Sequence, residues 1–321
     1  MENNSFDQTD KTTKKNHLSL LLRITVSTIA LLYLAFRVDW GIFLQNLQEV
    51  NLLFVGLAFV AVIASIVVSA YKWFILCKLH GNISFNECFR WYYIGFFLNN
   101  FLPGSIGGDV ARIYFAGKKL GSQQAIASVT VERVFAGIAL ALCSFTGILF
   151  YTVGDSPWIQ ILIFVVILTA IYCFLFVTPF QNMVIRLTDG KIKPFYETIT
   201  VYKEKKGTLM KLLLFSFLFL LCYILVSSFL FLAMDVSVPF LAQIGFISLI
   251  SILTMIPISI NGLGIREGAY VLLFAMVGVA ESTSLTVSLM FFVLVLIGTS
   301  IGGIIWVFEK NKDKNLENLH G

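Results

Sequence analysis

Histidine is nearly missing from this chain: of 321 residues only His17, His80 and His320 carry an imidazole, and all three fall in tails or a loop. A His-based metal or acid–base centre inside the apolar segments is therefore not expected. The five cysteines, Cys77, Cys88, Cys143, Cys173 and Cys222, are scattered and form no CxxC pair, which argues against a disulfide framework or a zinc site. No Gly-x-x-x-x-Gly-Lys-Ser/Thr run occurs, so no ATP site is expected, and no cofactor is called for. Charge is scarce as well. Only 13% of residues are Asp, Glu, Lys or Arg, against 58% hydrophobic and 31 Phe, which excludes an ordinary soluble domain and fits a polytopic helical membrane protein. A cleavable signal is not expected either, because residues 1–17 are polar and no small-residue cleavage site follows the first apolar run.

What is abundant is apolar sequence. Runs long enough to span a bilayer lie at roughly 18–36, 51–71, 124–151, 158–178, 210–234 and 283–308. Two further apolar stretches, 89–121 and 240–280, are interrupted by Pro, Gly, Asn and charge. Lys and Arg set the orientation. Lys11, Lys14, Lys15 and Arg23 mark a cytoplasmic N-terminus, Lys72, Lys78 and Arg90 the next return, and Lys310, Lys312 and Lys314 a cytoplasmic C-terminal tail. The longest loop, 179–211, holds seven cations and is expected either to skim the anionic inner leaflet or to lie as a solvated cytoplasmic loop. The segment 91–102 is too short to cross, and a full crossing would place Arg112, Lys118 and Lys119 outside. A re-entrant hairpin breaking at Pro103-Gly104 keeps them inside.

The expected architecture is thus all-α: six full spans plus two re-entrant broken helices, about eight membrane segments. Residues 1–17 form a polar tail, 18–151 the first repeat, 158–308 the second and 309–321 the C-terminal tail, all in the cytoplasmic membrane with both termini cytoplasmic. Each half has an odd number of crossings, which makes an inverted-topology repeat whose hairpins meet near the midplane. Eight full spans would also leave both termini inside, at the cost of three outside cations.

Ionisable residues within these segments are few: Asp109, Arg112, Glu132, Arg133, Arg266 and Glu267. Each carries an insertion penalty of roughly 2.5–3.5 kcal/mol near a helix centre, so each is expected to face the bundle interior and to pair. They either lock the hairpins to the bundle or handle substrate. Arg binds phosphate oxygens with a planar fork and keeps its charge when buried. Gly107, Gly108, Gly262 and Gly264 let the backbone approach a ligand, and a half-helix starting after each Gly pair would favour an anion. Asn99, Asn100 and Asn261 line a polar cavity or cap the broken helices. Lys72, between Tyr71 and Trp73, is expected to snorkel as an interfacial anchor. Gly302-Gly303 is expected to allow close helix packing.

The ordered motifs Asn99-Asn100-Phe101-Leu102-Pro103-Gly104-x-x-Gly107-Gly108-Asp109-x-x-Arg112, Ala127-Ser128-Val129-x-x-Glu132-Arg133 and Pro257-Ile258-Ser259-x-Asn261-Gly262-x-Gly264-x-Arg266-Glu267-Gly268 resemble the family of lysylphosphatidylglycerol synthase transmembrane regions, or flippase-like domains. The resemblance implies a translocation role like that of the membrane half of the multiple peptide resistance factor, which moves aminoacylated phosphatidylglycerol between leaflets. Arg112, Glu132, Arg133, Arg266 and Glu267 are the matching positions. The synthases of that family continue into a soluble aminoacyl-transferase domain, whereas this sequence stops at Gly321, so synthase activity is not expected. The leading expectation is a translocase for a phosphate-bearing phospho- or isoprenoid lipid, with an anionic membrane lipid as partner and no nucleic acid. A membrane-embedded transferase is the enzymatic alternative, disfavoured by the lack of an Asp-x-Asp pair. A non-catalytic partner of a lipid-modifying enzyme or glycosyltransferase is the third.

Overall fold

The computed structural model describes residues 49–100, 106–151, 177–187, 205–255, 259 and 261–320, together with the isolated residues 41, 193, 196, 197, 201 and 202. The expected spans 18–36 and 158–178 fall almost wholly outside these, as do Pro103, Gly104 and Pro257. All regular structure among the described residues is helical. In chain order the helices are α1 (Leu52–Cys77), α2 (Phe85–Asn99), α3 (Ile106–Leu120), α4 (Ser122–Tyr151), α5 (Thr178–Leu187), α6 (Lys206–Ala233), α7 (Phe240–Met255), α8 (Ile265–Ala275) and α9 (Glu281–His320).

Four of them, α1, α4, α6 and the Glu281–Glu309 part of α9, are long and apolar enough to cross a membrane. At about 1.5 Å per residue a helix of 26 residues runs about 39 Å, more than the roughly 30 Å hydrocarbon thickness. Their outer faces are apolar as well, with Val60, Val67, Leu214 and Leu218 exposed, so hydropathy alone does not mark the buried face. On α1 that face is Ala58, Ala61, Val62, Ser65, Ile66, Ser69, Lys72, Trp73 and Leu76, a stripe at helical spacing rich in small residues. It lies antiparallel against α6. The Asn51 N–H donates to the Ala233 carbonyl (2.9 Å) at one end, and Lys72 meets Ser216 at the other.

The two interrupted stretches each form a hairpin of short helices. α2 opens on a capping box, in which Ser84 Oγ accepts the Glu87 N–H and Glu87 accepts the Ser84 N–H (2.9 Å), so the helix starts ahead of the boundary expected at residue 89. The helices α2 and α3 run antiparallel, as three pairings in register show: the Glu87–Lys119 ion pair, Trp91 stacked on Phe115, and Gly95 against Gly108. In the same way α7 and α8 pair through Phe246 with Phe274 and Thr254 with Gly262. With 15, 15, 16 and 11 residues, these helices are each shorter than the hydrocarbon thickness.

Each hairpin leans on a long helix of the other half of the chain: α2 packs on α9, and α7 on α4. Backbones nearly touch at both crossings. A Cβ on Gly302 would sit 2.2 Å from the Tyr93 carbonyl oxygen, and one on Gly245 would sit 2.1 Å from Gly147 Cα. Close packing at Gly302-Gly303 was the expectation for that pair, and the geometry bears it out. The remaining packed pairs are also matched. α1 touches α2, α4 and α9 as α6 touches α7, α9 and α4, while α3 packs on α4 as α8 does on α9. Exchanging α1–α4 for α6–α9 therefore reproduces the same set of neighbours.

Candidate functional site

Between the hairpins lies a cavity of about 210 Å³. Its walls come from both: Asn99, Asn100 and Arg112 from the first, Thr254, Asn261 and Arg266 from the second, closed by Lys72 of α1, Glu132 and Arg133 of α4, Tyr223 of α6 and Phe291 of α9. The hairpin tips meet there. Asn261 donates its Nδ2 to Asn100 Oδ1 (3.3 Å), and Asn100 Nδ2 donates to Thr299 Oγ1 (2.7 Å). Asn261 reaches this position through a left-handed backbone, φ 49°, in the turn that also holds Gly262 at φ 73° and Gly264 at φ 83°.

Glu132 is the centre of the charge network. Only 3% exposed, it accepts from Arg112 Nη1 (2.5 Å) and the Tyr92 hydroxyl (2.9 Å), and Lys72 Nζ lies 3.3 Å away. Arg112, equally buried, places its second arm on Asp109, which precedes it by three residues on the same face of α3. Its guanidinium stacks 4.4 Å from the Tyr92 ring centroid and 5.3 Å from that of Trp73. Asp109 in turn takes a bidentate pair from Arg133, Nε and Nη2 both at 2.9 Å. Adjacent on α4, Glu132 and Arg133 point about 100° apart, one into the helix junction and the other along α3.

The second hairpin builds a smaller pair. Arg266 donates through Nε (3.1 Å) and Nη2 (2.7 Å) to Oε1 of the fully buried Glu267, and its guanidinium lies 4.8 Å from the Phe292 ring centroid. Glu267 Oε2 accepts the Gly264 N–H (2.6 Å) and so caps α8.

Every ionisable residue singled out from the sequence is therefore paired, and Arg112, Glu132, Arg133 and Arg266 reach the cavity together with Asn99, Asn100 and Asn261. Asp109 and Glu267 sit behind it, orienting the arginines. The glycines serve differently from the expectation of amides exposed to a ligand. The Gly108 N–H is taken by Asn99 Oδ1 (2.7 Å), and a Cβ there would fall 2.2 Å from the Gly95 carbonyl oxygen, so Gly108 closes the hairpin. Gly107 sits half-buried beside it on α3. Gly262 and Gly264 shape the turn, and Gly264 gives its N–H to Glu267 rather than to a ligand.

Lys72 needs correction too. It does not snorkel: 1% of it is exposed, and its ammonium turns inward to Glu132. Its aromatic neighbours resemble an interfacial belt, but its register on the stripe Ser65, Ser69, Lys72, Leu76 was the pointer to the interior. Tyr92, which bridges Arg112 and Glu132, was also missed, since one tyrosine in the aromatic-rich α2 does not stand out.

A helical chain with four membrane-capable helices among its described residues, and a buried ionic network between them, is a polytopic membrane protein. It belongs to the family described as the lysylphosphatidylglycerol synthase TM region, which its residues 20–303 match. It is 25% identical to the UPF0104 membrane protein PH1989 of Pyrococcus horikoshii, over 91% of this chain and 96% of that one. A UPF0104 membrane protein of Methanothermobacter thermautotrophicus is 24% identical over 83% and 86%, and MJ1595 of Methanocaldococcus jannaschii 26% over 84% and 90%. No solved structure matches the chain.

Proposed function

We propose that the protein is a lipid translocase in which a phosphate-bearing headgroup of a phospho- or isoprenoid lipid crosses the cytoplasmic membrane through the cavity between the hairpins. The observation that carries this reading is the convergence of Lys72, Arg112, Arg133 and Arg266 on one cavity formed by elements of both halves. Arginine forks at membrane depth suit phosphate oxygens, and intramembrane ionisable groups mark substrate pathways.

The architecture supports the same reading. Matched helix contacts, with the equivalent helices α1 and α6 antiparallel, support a pseudo-two-fold axis in the membrane plane and hence an inverted repeat. The short paired helices of both hairpins support re-entrance rather than crossing. Lys78, Arg90, Lys118, Lys119, Lys205 and Lys206 gather at one end of the bundle, joined there by the Glu87–Lys119 and Arg90–Glu309 ion pairs. The opposite end carries Asp235 and Glu281 but, among the described residues, neither Lys nor Arg. That asymmetry supports placing the first end, and with it the C-terminal end of α9, in the cytoplasm. Rocking one repeat against the other would expose the cavity to each leaflet in turn.

The test is passage of fluorescent phospholipids in proteoliposomes, comparing wild type with Arg112→Ala and Arg266→Ala. Crossing by wild type and its loss in both variants, with normal expression, is the expected result. Unchanged crossing by both variants would remove the site assignment.

A further inference from the structure

Two fully buried serines of α9 give their hydroxyls to nothing. Ser284 and Ser288 lie about one turn apart, and neither Oγ has a hydrogen-bond partner. Other hydroxyls of the same helix return to their own backbone: Thr286 donates to the Ser282 carbonyl (2.8 Å), Thr299 to that of Val295 (2.7 Å) and Ser300 to that of Leu296 (2.7 Å). A buried hydroxyl left unpaired costs free energy, so these two positions call for a polar partner.

Their register shows where that partner lies. Glu281, Ser284, Ser288, Phe291 and Val295 follow helical spacing down one face of α9. Glu281 is exposed at the end of the bundle that carries Asp235, whereas Phe291 and Val295 line the cavity. The two serines therefore bridge the cavity and the acidic end. Helix α6 runs antiparallel to α9 and meets it where Tyr223 packs on Phe291, with ring centroids 4.9 Å apart. About one turn beyond that contact, toward the acidic end, stand Ser227 on α6 and Ser288 on α9. Tyr270 of α8, which also lines the cavity, directs its hydroxyl to Ser227 Oγ at 3.4 Å. Three helices thus bring hydroxyls to one level. The stretch Ser284-Leu285-Thr286-Val287-Ser288 is similar to Ser128-Val129-Thr130-Val131-Glu132 of α4, where the polar groups are engaged. There Ser128 Oγ accepts from Trp73 Nε1 (3.1 Å), and Glu132 holds Arg112, Tyr92 and Lys72.

We infer that this face of α9 walls a narrow water passage from the cavity to the acidic end of the bundle, with Ser227 and Tyr270 on its opposite side. Water fits because it donates and accepts at once and needs about two to four polar partners, which these hydroxyls supply. The passage extends the translocase reading by giving the cavity an exit, and it rests on that reading only for what travels through it.

Single cysteines in a full-length chain whose native cysteines are alanine test it with a membrane-impermeant methanethiosulfonate in proteoliposomes. Thiols react as thiolates, which form where water reaches them. The side from which Asp235→Cys is labelled identifies the acidic end. Ser284→Cys and Ser288→Cys should be labelled from that side at least tenfold faster than Thr286→Cys, which is as deeply buried on the opposite face of α9. Labelling of both serine positions no faster than Thr286→Cys, or only from the other side, overturns the passage. The order of the two serines gives a second readout. Ser284→Leu should slow labelling of Ser288→Cys at least tenfold, while Ser288→Leu should change labelling of Ser284→Cys less than twofold; equal slowing by both overturns the path along α9. The single-cysteine set decides the passage even if a leucine variant does not fold. Lipid crossing is scored separately: labelling without crossing keeps the passage and removes the translocase reading, and crossing without labelling does the reverse.

Discussion

Glu132→Gln isolates the most consequential contact in the protein. The carboxylate has almost no exposed surface and accepts from one arginine, one tyrosine and one lysine. Replacing it by the neutral amide leaves Lys72 with Ser216 at 3.5 Å as its remaining side-chain hydrogen-bond partner among the described contacts. A gross attraction of about 5 kcal/mol follows for charges 3.3 Å apart at an effective dielectric of about 20. Repulsion between Lys72 and the nearby Arg112 offsets part of that, and the loss of a buried ion's partner costs about 3–5 kcal/mol in proteins generally. Glu132→Gln should therefore destabilise the fold by about 3 kcal/mol or more. In a Lys72→Met background the same change strands one cation fewer, and its cost should shrink by about 1–3 kcal/mol. Reversible unfolding in mixed detergent micelles, run as a double-mutant cycle, measures this. Additivity within about 0.5 kcal/mol would refute the pairing of Lys72 with Glu132.

Three other predictions follow from packing and from protonation. Gly108→Ala forces a Cβ against the Gly95 carbonyl and should destabilise by about 1–3 kcal/mol, whereas Gly137→Ala, with nothing within 4 Å, should be neutral or stabilising; thermal midpoints compare the two. Gly245→Ala meets Gly147 backbone and should loosen the crossing of α7 on α4, read as faster hydrogen exchange in both helices. His80 lies in the loop between α1 and α2, with its Nε2 2.6 Å from the Tyr202 hydroxyl, and burial holds its pKa below the ordinary 6.5. The folded state then binds fewer protons than the unfolded state. Its stabilisation is present above about pH 6.5 and is lost as pH falls from there through the lowered value. Wild type should thus lose more stability than His80→Gln between pH 7 and pH 5, and parallel pH profiles would contradict this.

The charged part of the site was legible because the membrane makes it so: six ionisable residues in apolar sequence had to be paired, and all six are. Both hairpins could likewise be read from short apolar runs broken by Asn, Gly and charge. Lys72 was obscured by Tyr71 and Trp73, which look like an interfacial belt, although Trp73 is itself fully buried and donates to Ser128 Oγ (3.1 Å). The glycines misled for a different reason. Close approach to a ligand and close approach between two helices require the same missing Cβ, and only the positions of Gly95 and Gly108 relative to each other decide between them. Nor could the neutral rim of Asn99, Asn100 and Asn261 be separated from helix caps by sequence. Asn100 does both, ending α2 and reaching across to Asn261.

On the proposed translocase reading, the cavity between the two hairpins must open and close for a lipid to cross. Asn100→Cys/Asn261→Cys, in a chain whose native cysteines have been replaced by alanine, allows the hairpin tips to be joined by a short reducible thiol crosslinker. Lipid crossing is then measured in the same proteoliposomes before linking, after linking and after reduction. Crossing should stop when the tips are joined and return when they are released; crossing that continues at full rate through the linked protein would contradict opening between the hairpins.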